Sequence, residues 1–383
     1  MRLVSTAAVA TLCWVSAFSS TDPLYIVAND DMPPFVPSSV TVYTMGTGGA
    51  LTVKARVETG GEGIGGGYFG MDRVAVHHQG QANCGYISDA GTGDIAVIDY
   101  QTLKRAGNFK GSKTDAGTSN GIGLAMNPKY LYASFTDSNT IGTFKVESGC
   151  KIKFVGDITV SGLHGGVIDG MAVHGNMMVT TYGDGSIQSF NIAGGVPVSN
   201  EDEQNSTGSR GGNTYPNGIE ITQDGHFAIF GDTSVATVVE VSDLSSGRLA
   251  PTVVYHLGGS ISSSNILLSP DESLLYISNT QGDRVSAAFF DKSTGKLSKG
   301  CASGRLKGYS TNWSYLAGLA LHESTGTGGI VYVAEFGAPS SIGMVRVASA
   351  GGQCTLKEML KSPVSDPNSP GLLSIGSFPA PPI

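Results

Sequence analysis

One short pattern, returning at nearly even intervals, limits this chain more than any other feature. It is a polar residue, usually followed by Gly, and then alternating apolar residues. Its copies are Asp72-Arg73-Val74-Ala75-Val76, Asn120-Gly121-Ile122-Gly123-Leu124, Asp169-Gly170-Met171-Ala172-Val173 and Asn217-Gly218-Ile219-Glu220-Ile221. Two more follow, Ser264-Asn265-Ile266-Leu267-Leu268 and Ala317-Gly318-Leu319-Ala320-Leu321. The leading apolar positions 74, 122, 171, 219, 266 and 319 are 48, 49, 48, 47 and 53 residues apart. A fixed period in this range is the mark of a repeat architecture.

Each interval unfolds in the same order. A polar turn such as Asn127-Pro128-Lys129 or Ser269-Pro270-Asp271 follows the first run, and then come strands over Tyr130–Phe135 or Leu274–Ser278. A third alternating run covers Thr140–Val146 or Arg284–Phe290, and a hairpin signal such as Ser293-Thr294-Gly295 leads into a fourth. The runs alternate with period two between turn formers, and no stripe of helical period persists. Four short strands every ~50 residues describe a β-propeller blade. Leu24–Val27, Ser39–Tyr43 and Leu51–Val57 supply a further, less complete unit, and Leu372–Ile375 are placed to close the ring. The expectation is an all-β, seven-bladed β-propeller occupying residues 21–383 as one domain.

Residues 1–20 read as a signal peptide: a basic start at Arg2, an apolar run from Leu3 to Phe18, and small residues around Ala17–Ser20. Secretion to an extracellular, oxidising compartment follows. Cys13 falls inside the signal, leaving Cys84, Cys150, Cys301 and Cys354. Three pairings are open. Cys84–Cys150 with Cys301–Cys354 is the simplest, because each bond joins neighbouring repeats. None of the four sits in a zinc-ligand spacing. Asn205 and Asn312 head glycosylation sequons. Lys plus Arg number 23 against 31 Asp plus Glu, a net charge of −8, which excludes a nonspecific nucleic-acid or anionic-membrane binder. A monomer is expected.

The stretch 267–297, from Leu267 through Ser269-Pro270-Asp271 to the Ser293-Thr294-Gly295-Lys296-Leu297 hairpin, resembles a blade of the seven-bladed lactonase propellers. That superfamily includes 6-phosphogluconolactonase-type proteins, the fungal 3-carboxy-cis,cis-muconate lactonising enzyme, and secreted fungal lyases that cut rhamnose from glucuronic acid. The resemblance implies the fold and several alternative chemistries. Where the lactonising enzyme carries a catalytic His before the inner-strand Gly, this chain has Asn120.

Candidate site residues come from the heads of the inner strands and the loops before them. Asn120, Asn217 and Asn265 are expected to bind substrate, with Asp72 and Asp169 in the same polar column. Arg73 stands where four other copies have Gly, and no turn role explains it. Three loops add His164, flanked by glycines, then Arg210 and Tyr215, then Trp313 and Tyr315; Tyr68 lies ahead of the first copy. His164 and Tyr215 suit proton transfer. Arg73 and Arg210 suit a bidentate grip on a carboxylate. Trp313, Tyr315 and Tyr68 suit stacking on a sugar. Asp89, Asp232 and Glu335 read either as bases or cation ligands, or as solvated turn residues.

The leading expectation is a secreted carbon–oxygen lyase that removes the proton beside a uronate carboxylate and eliminates the glycosidic oxygen. The alternatives are a lactonase or lactonising enzyme, and a noncatalytic binding or cell-surface propeller. The expected partner is an acidic carbohydrate or small carboxylate, with no resident metal or cofactor beyond a structural cation in the channel.

Overall fold

The computed structural model describes residues 25–65, 72–79, 82–110, 121–206, 216–232, 236–260, 263–279, 283–307, 315–325, 328–336, 340–366 and 374–378. Three strands come first, β1 (Tyr25–Asn29), β2 (Pro37–Met45) and β3 (Leu51–Glu62). Blade II is β4 (Val74–Gln79), β5 (Ala82–Asp89), β6 (Asp94–Asp99) and β7 (Lys104–Lys110). Blade III is β8 (Ile122–Met126), β9 (Tyr130–Phe135), β10 (Thr140–Glu147) and β11 (Lys151–Thr159). Blade IV holds β12 (Ile168–His174), β13 (Met177–Tyr182), β14 (Ser186–Asn191) and two short outer strands, β15 (Val198–Ser199) and β16 (Gln204–Asn205).

Blade V follows with β17 (Pro216–Ile221), β18 (Phe227–Asp232), β19 (Ala236–Asp243) and β20 (Val253–Ser260). Blade VI is β21 (Ser263–Leu268), β22 (Leu274–Asn279), β23 (Arg284–Asp291) and β24 (Lys296–Ala302). Blade VII is β25 (Tyr315–Thr325), β26 (Gly328–Phe336), β27 (Ser340–Ala350) and β28 (Gln353–Glu358), with β29 (Val364–Asp366) added to β27. The last strand, β30 (Ser374–Phe378), pairs with β1 and completes blade I in the order β3-β2-β1-β30. Every pairing is antiparallel and the chain is a seven-bladed propeller, closed by joining its two ends.

The residue pattern explains the ring. A middle strand of a blade is covered on both faces, so its alternate residues serve two different seams. In β5, Tyr86 packs with blade III while Ile87 packs with blade I. In β26, Tyr332 faces blade I and Val333 faces blade VI. Seven apolar clusters result among the described residues, one for each pair of neighbouring blades. Outer strands lack a second neighbour and alternate: β11 reads exposed at Lys151 and Lys153 and buried at Ile152. Lysines on such edges discourage pairing with another chain.

Both disulfides fasten adjacent blades, as the spacing suggested. Cys84 in β5 joins Cys150 in the turn after β10, with Cα atoms 5.4 Å apart. Cys301 in β24 joins Cys354 in β28 at 5.6 Å. A separation of 66 residues places the first bond's chain-entropy contribution at about 4 kcal/mol.

Glycines allow close approach at the seams and beside the axis. A Cβ on Gly170, at the head of β12, would stand 2.4 Å from the carbonyl oxygen of Asn217 on the next inner strand. One on Gly85 in β5 would lie 1.9 Å from Tyr100 Oη, and Tyr100 is a fully buried ring with no room to retreat. Gly85→Ala is therefore expected to destabilise the fold by about 3 kcal/mol, read as a lower midpoint in chemical denaturation. Gly304→Ala, which meets no atom within 4 Å, is the matched control and should stay within about 0.5 kcal/mol of the parent.

Candidate active site in the central channel

Among the described residues, the strand heads of blades II and IV are tied together by charge rather than left open. Arg73 is 2% exposed, and its Nη1 donates to Asp31 Oδ2 at 2.9 Å. Asp31 comes from the β1–β2 loop and is itself fixed: its Oδ1 accepts the Ile64 N–H, and its N–H donates to Asn29 Oδ1. Across the axis, Asp169 at the head of β12 is 1% exposed. Burial pushes its carboxyl well above the usual carboxylate range, and the charge of Arg73 holds it partly back. Arg73 thus answers carboxylates from blades I and IV. The guanidinium expected to grip a substrate carboxylate is already bonded to one from its own chain.

Below this layer the second halves of β8, β12, β17 and β21 line a half-open cavity of about 230 Å³. Leu124, Met126, Met171, Ile219 and Ile266 border it, but most of the surface that faces it is polar. Its polar side chains are Asp72, Glu220 and Asn265. Asp72 reaches it because its backbone leaves blade II in the left-handed region, φ 58°, and its carbonyl accepts the Leu124 N–H of β8 at 2.9 Å. Asp and Asn tolerate that conformation better than most residues. The Asp72 side chain is open to the cavity yet ringed by protein, and this desolvation raises its pKa to about 6. Glu220 rises further, to about 8: burial is the main cause, the Asp72 carboxylate adds to it, a backbone hydrogen bond from Leu268 opposes, and Glu272 contributes repulsion. Of the two, Asp72 is the one that gives up its proton first as pH rises.

Sequence reasoning missed Glu220, although the signal was present. In the second apolar place of the repeat the other copies carry Ala75, Gly123, Ala172, Leu267 and Ala320. A glutamate there is the single charged exception.

The other expected residues are dispersed. Asn217 and Asn265 are buried, at 5% and 4% exposure, and only Asn265 borders the cavity. His164 lies in the blade III–IV loop, its N–H and that of Gly166 donating to Asp184 Oδ2 at 2.8 and 2.9 Å. Burial works to raise Asp184, but bonds from Ser186, His164 and Gly166 outweigh it and hold it below the usual range. The His164 imidazole is exposed and within electrostatic reach of Glu203, and no described hydrogen bond or ion pair joins it to Arg73. Asn120, Arg210, Tyr215, Trp313, Tyr68 and Asn312 lie outside the described residues, as does the side chain of Tyr315. Asn205 is exposed in β16.

One reading of the sequence needs correction. Asp89, Asp232 and Glu335 are not solvated turn residues: they are 0%, 2% and 2% exposed at the ends of the second strands of blades II, V and VII. Among the described residues no three His, Cys, Asp or Glu side chains are grouped to hold a metal ion, and no helix is long and apolar enough to cross a membrane.

The chain's likenesses to known proteins are structural. No protein-family model matches it, and no curated protein matches it in sequence. Solved structures of similar fold include a functionally unknown protein from Desulfotomaculum acetoxidans, with 15% identity, a TM-score of 0.63, and coverage of 88% of this chain and 99% of that one. A provisionally assigned 6-phosphogluconolactonase from Bacteroides uniformis has 14% identity and a TM-score of 0.55, covering 71% and 80%. Its counterpart from Bacteroides fragilis has 14% identity and a TM-score of 0.54, covering 71% and 79%. At these identities the likeness is one of fold, and lactonase-like propellers are among the folds this chain resembles.

Proposed function

We propose that the chain is a lactonase-type hydrolase whose working site is the channel cavity. The observation that carries this reading is the placement of Asp72 and Glu220, two carboxyls whose pKa values are raised unequally, around one small cavity. Two titratable groups pushed apart by their surroundings divide the roles of base and acid. Asp72 takes a proton from water as the water oxygen bonds to the lactone carbonyl carbon. The tetrahedral intermediate then collapses, the acyl C–O bond breaks, and Glu220 gives its proton to the departing ring oxygen. The product is the open hydroxy acid. Transfer of the captured proton from Asp72 to Glu220, directly or through water, resets the pair.

The likeness to lactonase-like propellers supports this choice over elimination. A lyase acting on uronate-linked rhamnose would need a free carboxylate clamp, and Arg73 is engaged by Asp31. Two disulfides fit an oxidising compartment, so the enzyme is proposed to be secreted, glycosylated at Asn205 and monomeric.

The test is lactone opening followed by proton release. Activity requires Asp72 ionised, above about 6, and Glu220 protonated, below about 8, so the rate should peak near neutrality and fall on both sides. Asp72→Asn should remove the acid limb and Glu220→Gln the alkaline limb, each lowering kcat/KM by about 10²-fold or more. Full activity in both folded variants would refute the assignment. A rise in ultraviolet absorbance with uronate glycans, without lactone opening, would return the choice to the lyase.

A further inference from the structure

We propose that the channel cavity selects its ligand by charge and size, admitting a small single ring that is neutral or cationic and turning away one that bears a carboxylate or phosphate. Resting on the hydrolytic reading above, this makes the substrate an uncharged or cationic monocyclic lactone.

Three observations lead here. First, among the described residues no lysine, arginine or histidine lines the cavity, and the ionisable side chains that do are Asp72 and Glu220. Glu272, 4% exposed in the β21–β22 turn, adds a carboxyl near Glu220. Second, the nearby cation is committed. Arg73 is bonded to Asp31 at 2.9 Å and sits within the field of Asp169, so an incoming anion would have to displace a carboxylate of the chain itself. Third, the surrounding protein desolvates both Asp72 and Glu220, and like charges repel more strongly there than in water. Placing a second anion beside Asp72 is therefore the costly arrangement, whereas an ammonium beside it is favoured.

The volume sets the size. A cavity of about 150 Å³ accepts benzene, so about 230 Å³ corresponds to on the order of nine heavy atoms. That is one ring with a small substituent. A phosphorylated sugar lactone is wrongly charged, and it would have to extend out of the open side of the cavity.

The experiment uses the whole protein and two parallel series. One is γ-butyrolactone carrying an ammonium, a hydroxyl or a carboxylate; the other is the tetrahydrofuran bearing the same groups, which cannot be hydrolysed. Binding of the cyclic ethers by calorimetry is expected to rank ammonium and hydroxyl at least tenfold above carboxylate, about 1.4 kcal/mol. Asp72→Asn should narrow that gap. Lactone opening should follow the same order. A carboxylate ether that binds as well as the hydroxyl one, binding by none of the ethers, or an unchanged gap in Asp72→Asn would overturn the proposal. If the ethers bind in the expected order but no lactone opens, the charge rule stands and the hydrolytic reading falls.

Discussion

A chain ending at residue 373 is expected to lose the single cooperative unfolding transition of the parent. The missing segment contains β30, the inner strand of blade I, which pairs with β1 from Tyr25↔Phe378 to Asn29↔Ser374. Ile375 belongs to the apolar cluster between blades I and VII, with Ile26, Ala28 and Tyr332. On its other side Gly376 presses toward Val74 and Val76 of blade II. The strand therefore serves one sheet and two seams. Without it β1 shows an unpaired inner edge, and a closed ring becomes an open row of blades whose stability is a sum of neighbour terms. The melting temperature should fall by more than about 10 °C, or the chain should aggregate. Ile375→Asp is the point version, burying an unpaired charge, and should lower the midpoint by about 3 kcal/mol. Calorimetry on both settles it. A truncated chain that melts like the parent would mean that β30 does not close the ring.

The fold was legible because a blade imposes two constraints that sequence records directly: a period near 48 residues and strands apolar on both faces. Tyr130–Phe135 is read from the residues with the bounds that β9 shows. Blade I was harder, since its four strands come from opposite ends of the chain and never appear together as one unit. The site was less legible for a geometric reason. Period-two alternation says that neighbouring side chains point opposite ways, but not whether a head-of-strand residue meets the axis or the next blade. Arg73 and Asp31 lie 42 residues apart, and only closing the ring brings them together. The same holds for Asp72 and Glu220. Chemistry was sought at the strand heads, Asp72 among them, and in the loops, where residue types are conspicuous; the Asp72 partner Glu220 lies within a strand, where a single glutamate interrupts a column of small and aliphatic residues.

Stability should fall as pH rises from 5 to 9, because two seams are built around carboxyls that resist ionisation. Asp89 is fully buried, its pKa raised to about 8 chiefly by that burial; Thr59 lowers it through a 2.8 Å hydrogen bond, while Asp94 and Asp31 raise it. Glu335, 2% exposed, rises to about 7 for the same first reason, with Ser341 opposing and Glu358 and Asp283 adding repulsion. In the unfolded chain both ionise near the ordinary values of 3.8 and 4.5. The native state thus holds protons that the unfolded state has lost, and linkage makes stability decline wherever that is true. The contribution is complete below about 4 and disappears as pH climbs through about 7 and 8. Each pKa unit is worth about 1.4 kcal/mol, so Asp89 alone should cost on the order of 4 kcal/mol between pH 5 and pH 9. Glu220 and Asp169 act in the same direction. Asp184, held low by its hydrogen bonds, acts oppositely but only in stronger acid. Asp89→Asn keeps an acceptor for Thr59 and cannot ionise. Its unfolding midpoint should match the parent within about 1 kcal/mol at pH 5 and exceed it at pH 9, so the two profiles diverge as pH rises. Parallel profiles, or a parent profile that is flat across this range, would show that the Asp89 carboxyl is ionised within its seam.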